Sequence, residues 1–560
     1  MLEMKKLTTE ASKLLQYIYE HKDSACSDLF STSLLSARHI LGQKTVGELT
    51  PIVNELVQAK VLKEVRKGIF KVPRFKIIEK NLEKYIQDAE EEKFVQEYRE
   101  SLKEDIKNHN RFVITTGVMG KDVNKPFLEA IKNYCVRKKA MPVVLPCEDV
   151  ASRGKKESSI ELSPELKDFK VIFKDTYLNK NLCLHAIKMS AKQRYPLGGL
   201  DEVATLKQAS IIAASPKVFL KYIPNMHYDV PPALMTTGAI TVNNYDTDRY
   251  MSQRTSTLAE VDHIYGAIIV EIENEHIFHF RHIQASETGS FVDLGVEYLP
   301  DGTTREVTNT VLVMGDSHVG YHDLELHERV MELAENIGVS KVVLHDIFHG
   351  TSISHHEWDK SITRAQRAIG DQLDLEVECK AIKNYLEDIE SRGIGIIIPQ
   401  ANHHGHLMKY LQKGKYVDDA GNLDFASKLV SPAVHGRNPL QYAVEDLLGF
   451  KKSDIEWLQK DQSYRVHGVE CAVHGDKGAN GAKGSLATFE KALGNCVVAH
   501  SHTAAIRRRV FCVGTVGKMD MGYNEGLSSW TRTCCLIYSN GTKQLINFIE
   551  NKFGEYSYTI

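Results

Sequence analysis

Apolar residues recur at helical spacing through the first hundred positions, then give way to short apolar runs separated by turns. In residues 8–21 (TTEASKLLQYIYEH), Ala11, Leu14, Leu15 and Ile18 fall on one side of a helix. A second helix is expected over residues 33–41, ahead of Gly42. A third is expected from Thr50, a capping residue followed by Pro51 at the first helical position. The stretch "VLKEVRKGIFKV" reads as a hairpin turning at Arg66-Lys67-Gly68. Ile78, Leu82, Ile86, Phe94, Tyr98, Leu102 and Ile106 predict a long connecting helix, broken near residues 90–92. From residue 111 the pattern becomes strand ("RFVITTG"), helix (Lys125–Lys138) and strand ("MPVVLP"), and "GAIIVEI" and "HIFHFRHI" close that segment near residue 300. The expectation is an α/β multi-domain chain: a small helical module over 1–75, a connecting helix over 76–108, an α/β accessory domain over 109–300, and a last domain over 308–560.

Composition narrows the class. A chain of 560 residues with 42% hydrophobic and 26% charged residues is an ordinary soluble globular protein of several domains. No apolar run reaches the length of a membrane span, and the N-terminus lacks the apolar core of a signal peptide, so no membrane partner is expected. Ten cysteines without a CxxC spacing read as reduced thiols in a cytoplasmic protein. Gly117 follows a strand but no GxxxxGK[ST] is present, so an ordinary turn is expected there.

Charge adds an asymmetry. The net charge is −3, yet residues 1–75 carry twelve Lys+Arg against eight Asp+Glu. Three helices and a basic hairpin resemble a winged helix-turn-helix, a module that binds DNA or docks protein.

Histidine is the informative count: 15 of the 24 lie between His318 and His502. After residue 308 five apolar runs each end in metal-capable side chains. "TVLVMGDSHVG" presents Asp316 and His318, and "KVVLHDIFHG" presents Asp346 and His349. "GIGIIIPQANHHGHL" presents Asn402, His403, His404 and His406. "GVECAVHGD" presents His474, and "NCVVAHSHT" presents His500 and His502. Buried strands ending in acids and imidazoles are costly unless those groups are paired. Loops at the strand ends of one open α/β sheet converge at its edge, so a shared metal site is expected.

The order of these motifs resembles the calcineurin-like metallophosphoesterases over roughly residues 308–545. "DSHVG" and "DIFH" resemble the nuclease branch of that family, the SbcD type. With "LMTTGAITVNNY" and "GSFVDLG", the whole chain is similar to early host-DNA-degrading nucleases of T-five-like coliphages. The resemblance implies a C-terminal β-sandwich flanked by helices and two divalent metal ions, and the mixed oxygen and nitrogen donors put Mn²⁺ first and Mg²⁺ second. Asp316, His318, Asp346 and His502 would hold one ion. Asp346, Asn402, His474 and His500 would hold the other, with Asp346 bridging. His403 would position the phosphate and protonate the leaving oxygen, and His349 would face the scissile phosphate. The implied activity is that of a metal-dependent DNase acting in the host bacterial cytoplasm, with DNA as partner and a homo-oligomer left open. Two other readings stand beside it: a two-metal phosphatase or phosphodiesterase for small molecules or phosphoproteins, and a non-catalytic DNA-binding regulator.

The sequence departs from the family pattern at four positions. His345, Ala401 and Ala499 stand where glycine is usual, and His404 stands where an acid usually orients the catalytic histidine. Asp323 is the expected substitute for that acid. His404, His406, His322, His355 and His356 are expected to support the site or lie on the surface. One of Arg507, Arg508 and Arg509 is a candidate phosphate contact.

Overall fold

The helix Thr9–Glu20 turns Ala11, Leu14, Leu15 and Ile18 into a small core, where they meet Leu49, Ile52, Val53 and Leu56 of the helix Val46–Gln58. Each such aliphatic side chain contributes about 1.5–3 kcal/mol on burial, and together they hold the first of two compact units, Met1–Asn108 and His109–Ile560. The computed structural model describes residues 7–20, 29–31, 41, 45–67, 69–71, 96–149, 161–226, 230–245, 250–450, 455–522 and 524–560.

Within the first unit the third expected helix begins earlier than Thr50. Thr45 is its N-cap: the Thr45 side chain accepts from the Glu48 amide, and Glu48 Oε2 accepts from the Thr45 amide at 2.7 Å. This reciprocal box satisfies two donors at once and outcompetes the Thr-Pro signal, so Pro51 lies inside the helix. The hairpin forms from Lys63–Arg66 and Ile69–Lys71, and an unanticipated strand, Leu29–Ser31, pairs with its second arm. The helix expected over 33–41 lies outside the described residues except for Leu41. The connecting helix is described only over residues 96–107.

The second unit contains three principal sheets. In the five-stranded sheet, Arg111–Val118 runs parallel to Met141–Cys147, with the helix Lys125–Lys138 between them in sequence. Gly117 lies inside the first of these strands and not in a turn. A Cβ there would stand 2.8 Å from a Leu162 methyl, so close packing explains the glycine.

The six-stranded sheet runs in the order Ile455–Trp457, Gly395–Ile398, Val339–Val343, Thr310–Val313, Thr533–Ile537, Lys543–Asn547, and its first four strands are parallel. Leu312, Val342, Ile396 and Leu536 share a core with Leu326 and Val330 of the helix Leu324–Ile337 and with Ile382 and Leu386 of Leu375–Ser391. Val311, Val313, Val343 and Ile397 alternate with them and are also buried, so the sheet is covered on both faces.

The ten-stranded sheet joins the segments on either side of residues 300–308. Phe219–Tyr222 pairs with Ala505–Arg507, so strands from 176–236 and from 465–512 form one continuous sheet. Segments 109–300 and 308–560 are therefore knit into a single unit.

Of the five strands that precede the polar motifs, three lie in the six-stranded sheet: Thr310–Val313, Val339–Val343 and Gly395–Ile398. The other two, Val469–Glu470 and Cys496–Val498, are neighbours in the ten-stranded sheet. This corrects the expectation of a single sheet edge. The polar ends meet from two sheets, a convergence that strand periodicity does not encode.

Candidate metal centre

Each candidate ligand leaves its strand within a few residues and is held by backbone contacts between loops. Gly315 lets the first loop approach Gly514–Thr515, where an added Cβ would stand 2.8 Å from the Gly514 carbonyl oxygen. Next to it, the Thr515 hydroxyl donates to the Asp316 carbonyl at 2.7 Å. The His318 amide donates to the Asp346 carbonyl at 2.8 Å and the Val319 amide to Ile347 at 2.9 Å, which lock the first two motifs together. The His500 amide donates to Asp316 Oδ2 at 2.9 Å, and the His403 amide to Asp346 Oδ1 at 3.2 Å. His318, Asp346, His500 and His502 all have positive φ, between 42° and 71°. Such backbone is costly for residues with a Cβ, and it persists only where surrounding structure enforces it, as at functional sites.

These loops bring all seven candidate ligands together. Asp316, His318 and His502 offer ligand atoms within 4.8 Å of one another, and so do Asp316, Asp346 and His474. His502 Nε2 lies 3.1 Å from Asp316 Oδ2 and 3.0 Å from His318 Nε2. On the other side, Asn402 Oδ1 lies 2.8 Å from His474 Nε2 and 3.0 Å from His500 Nδ1, and His474 Nε2 lies 3.2 Å from Asp346 Oδ2. Asp346 thus stands between the two groups. Adjacent ligands of a six-coordinate ion at about 2.1 Å are about 3 Å apart, which matches these separations.

The electrostatics fit a cation. Asp316 and Asp346 are fully buried, and Asp316 Oδ1 and His474 Nδ1 have no hydrogen-bond partner among the described residues. Burial would push both carboxyls up, but the imidazoles of His474 and its neighbours outweigh it and hold both below the usual carboxylate range. His474 shows the reciprocal effect: burial disfavours its charge, yet Asp346 and Asp316 raise it to about 9. Those carboxylates would equally be satisfied by a divalent cation, which takes the neutral imidazole as ligand. Burial, then neighbouring imidazoles, lowers His318 and His500 and keeps them in that neutral form. The buried aspartates and histidines can hold a divalent metal.

His403 and His349 line the same cluster: with His318 they form a third group within 4.8 Å. His403 is half-buried, and its Nδ1 donates to the His349 carbonyl at 2.8 Å. That carbonyl orients the ring, and Asp323 does not. Asp323 instead caps the helix Leu324–Ile337 and accepts from the Tyr556 hydroxyl at 2.6 Å. His349 stacks on Tyr321 with ring centroids 4.4 Å apart, and burial, then His403, lowers it to about 3. His404 is buried and accepts the Ile347 amide at 3.2 Å, bracing the Asp346 loop. His345 is buried against the His474 ring. His322 packs on Tyr385, and His355 and His356 lie at the surface. Arg507 and Arg508 both pair with Glu490, and Arg508 also with Asp262, so these two are engaged within the body; Arg509 is exposed.

Sequence reading missed Glu378. This half-buried carboxylate accepts the amides of Gly350 (2.7 Å), Thr351 (3.1 Å) and Ser352 (3.2 Å) and the Ser352 hydroxyl (2.6 Å), and so fixes the loop after His349. Nothing but its place on the helix Leu375–Ser391 could have flagged it. Glu378→Ala strands those four donors and is expected to cost about 4 kcal/mol, the low end of the roughly 1–3 kcal/mol lost per unsatisfied buried donor, because the site is only half-buried. Glu378→Gln retains one acceptor oxygen and should cost about half as much. Urea unfolding of both variants checks the order, and equal midpoints for Ala and wild type would remove this role.

Fold and site define a mixed α/β protein with several sheets and a buried histidine–carboxylate cluster suited to divalent metal. No family model matches the chain, and no solved structure matches it. It is similar to Protein A1 of Escherichia phage T5, 30% identical over 408 residues that cover 68% of this chain and 72% of that protein. The chain belongs to the family of that phage protein. Among the described residues no helix is long and apolar enough to cross a membrane, and the nine described cysteines are free and buried.

Proposed function

We propose that the chain is a two-metal deoxyribonuclease of the calcineurin-like metallophosphoesterase type, phage-encoded and used to degrade host DNA in the host cytoplasm. The observation that carries this reading is the meeting of Asp316, His318 and His502 with Asn402, His474 and His500 around one central carboxylate, Asp346. Two divalent ions, Mn²⁺ first given the mixed nitrogen and oxygen donors, would activate water and offset charge on the phosphate. The chain's own residues supply the rest. His403 donates through Nδ1 to the His349 carbonyl, which leaves Nε2 to exchange a proton with the leaving 3′ oxygen. His349, held against Tyr321, closes the phosphate side of the cluster. DNA is favoured over small phosphodiesters by the nuclease-type "DSHVG" and "DIFH" motifs and by the basic hairpin of the first unit, read as a winged helix.

Incubating the protein with Mn²⁺ and plasmid, linear or single-stranded DNA, beside a chromogenic phosphodiester, tests the reading. Metal-dependent DNA cleavage supports it. Turnover of the small ester alone would favour the small-molecule phosphodiesterase, and DNA binding without any turnover would favour a regulator.

The first unit has a separable expected role. Deleting residues 1–108 should weaken DNA binding and flatten its salt dependence, since each lost phosphate contact reduces the slope by roughly one counterion. Hydrolysis of the small ester should survive. Unchanged affinity and slope in a salt titration would exclude DNA contact by this unit.

A further inference from the structure

We propose a third metal site outside this centre: His355, His356 and His406 form an all-imidazole site for a borderline divalent cation of the Zn²⁺, Ni²⁺ or Cu²⁺ class. The proposal does not rest on the nuclease reading. Each of the three residues offers a ring nitrogen, and these nitrogens lie within 4.8 Å of one another. The His355 ring stands 3.8 Å from that of His356 and 4.9 Å from that of His406, centroid to centroid.

Two features separate this group from a chance surface cluster. His406 is only 8% exposed, and its Nδ1 is buried and has no hydrogen-bond partner among the described residues, a cost that a bound cation would relieve. Both arms of the site are also anchored. His406 sits in the first turn of the helix His404–Gln412, whose Leu407 and Leu411 enter the main core. With two residues between, His355 and His356 follow the 350–352 loop that Glu378 clamps with four hydrogen bonds. The two exposed rings can turn on the surface to meet the buried one.

The donor set gives the class of ion. The group contains no carboxylate, whereas Mn²⁺ and Mg²⁺ favour oxygen, and imidazole suits zinc, copper and nickel. Three protein nitrogens leave one coordination position for water. The other side of His406 packs on the His403 ring at 4.6 Å, so the site backs onto the proposed proton donor.

The test compares the full chain with the double variant His355→Gln/His356→Gln, whose substitutions are exposed. Zn²⁺ bound after equilibrium dialysis is counted by elemental analysis, and Cu²⁺ is read by electron paramagnetic resonance for coupling to ring nitrogens. The wild-type chain should hold one more equivalent of Zn²⁺ than the double variant. The same one-equivalent difference should persist when both chains carry Asp346→Ala, which disables the main centre. Equal zinc content in the two chains overturns the proposal. A difference that vanishes in the Asp346→Ala pair also overturns it, because the extra ion would then belong to the main centre.

Discussion

Asp346→Ala is expected to abolish phosphodiester hydrolysis and to remove most bound manganese. The carboxylate stands between the two ligand groups, 3.2 Å from His474 Nε2, and it also receives the His403 amide. On the proposed two-metal reading its loss would remove a ligand from both ions at once and release the loop that carries His403. Asp346→Asn separates chemistry from folding, since it keeps the shape and an oxygen for the His403 amide while giving up the charge. Metal content after dialysis, read beside turnover of a small phosphodiester, checks both variants. Two bound manganese ions with near-normal turnover in Asp346→Ala would show that the ligand assignment is wrong.

His403→Ala is expected to behave differently: metal content and DNA affinity stay close to wild type while turnover falls ~10²–10⁴-fold, the usual loss on removing one general acid. The geometry argues for this split. His403 lies among the rings of His318, His349 and His406 and is not assigned as a ligand. Its Nδ1 is committed to the His349 carbonyl, so only Nε2 can serve the leaving group. Single-turnover rates at saturating DNA measure the effect. An unchanged rate would take His403 out of the mechanism and move suspicion to His349.

The local elements were legible because their signals are local. Ala11, Leu14, Leu15 and Ile18 report a helical face within one short stretch, and the five apolar runs report strands wherever an acid, asparagine or histidine follows at once. The start of the helix Val46–Gln58 is ambiguous in the sequence because two valid signals, a Thr-x-x-Glu box and Thr-Pro, lie five residues apart, and only the box has its reciprocal hydrogen bonds.

By itself the sequence determined which side chains could form the centre and that each would sit at a strand end, because residue type and strand period are written in consecutive positions. Only the tertiary structure decided that these ends come from two sheets, that strands of 176–236 continue into those of 465–512, and that a backbone carbonyl orients His403. It also decided that Glu378 braces the His349 loop and that Glu490 takes up Arg507 and Arg508. These are pairings between residues distant in the chain or with backbone atoms common to every residue type. Their partners are chosen by strand register and packing, which no pattern within a single segment records.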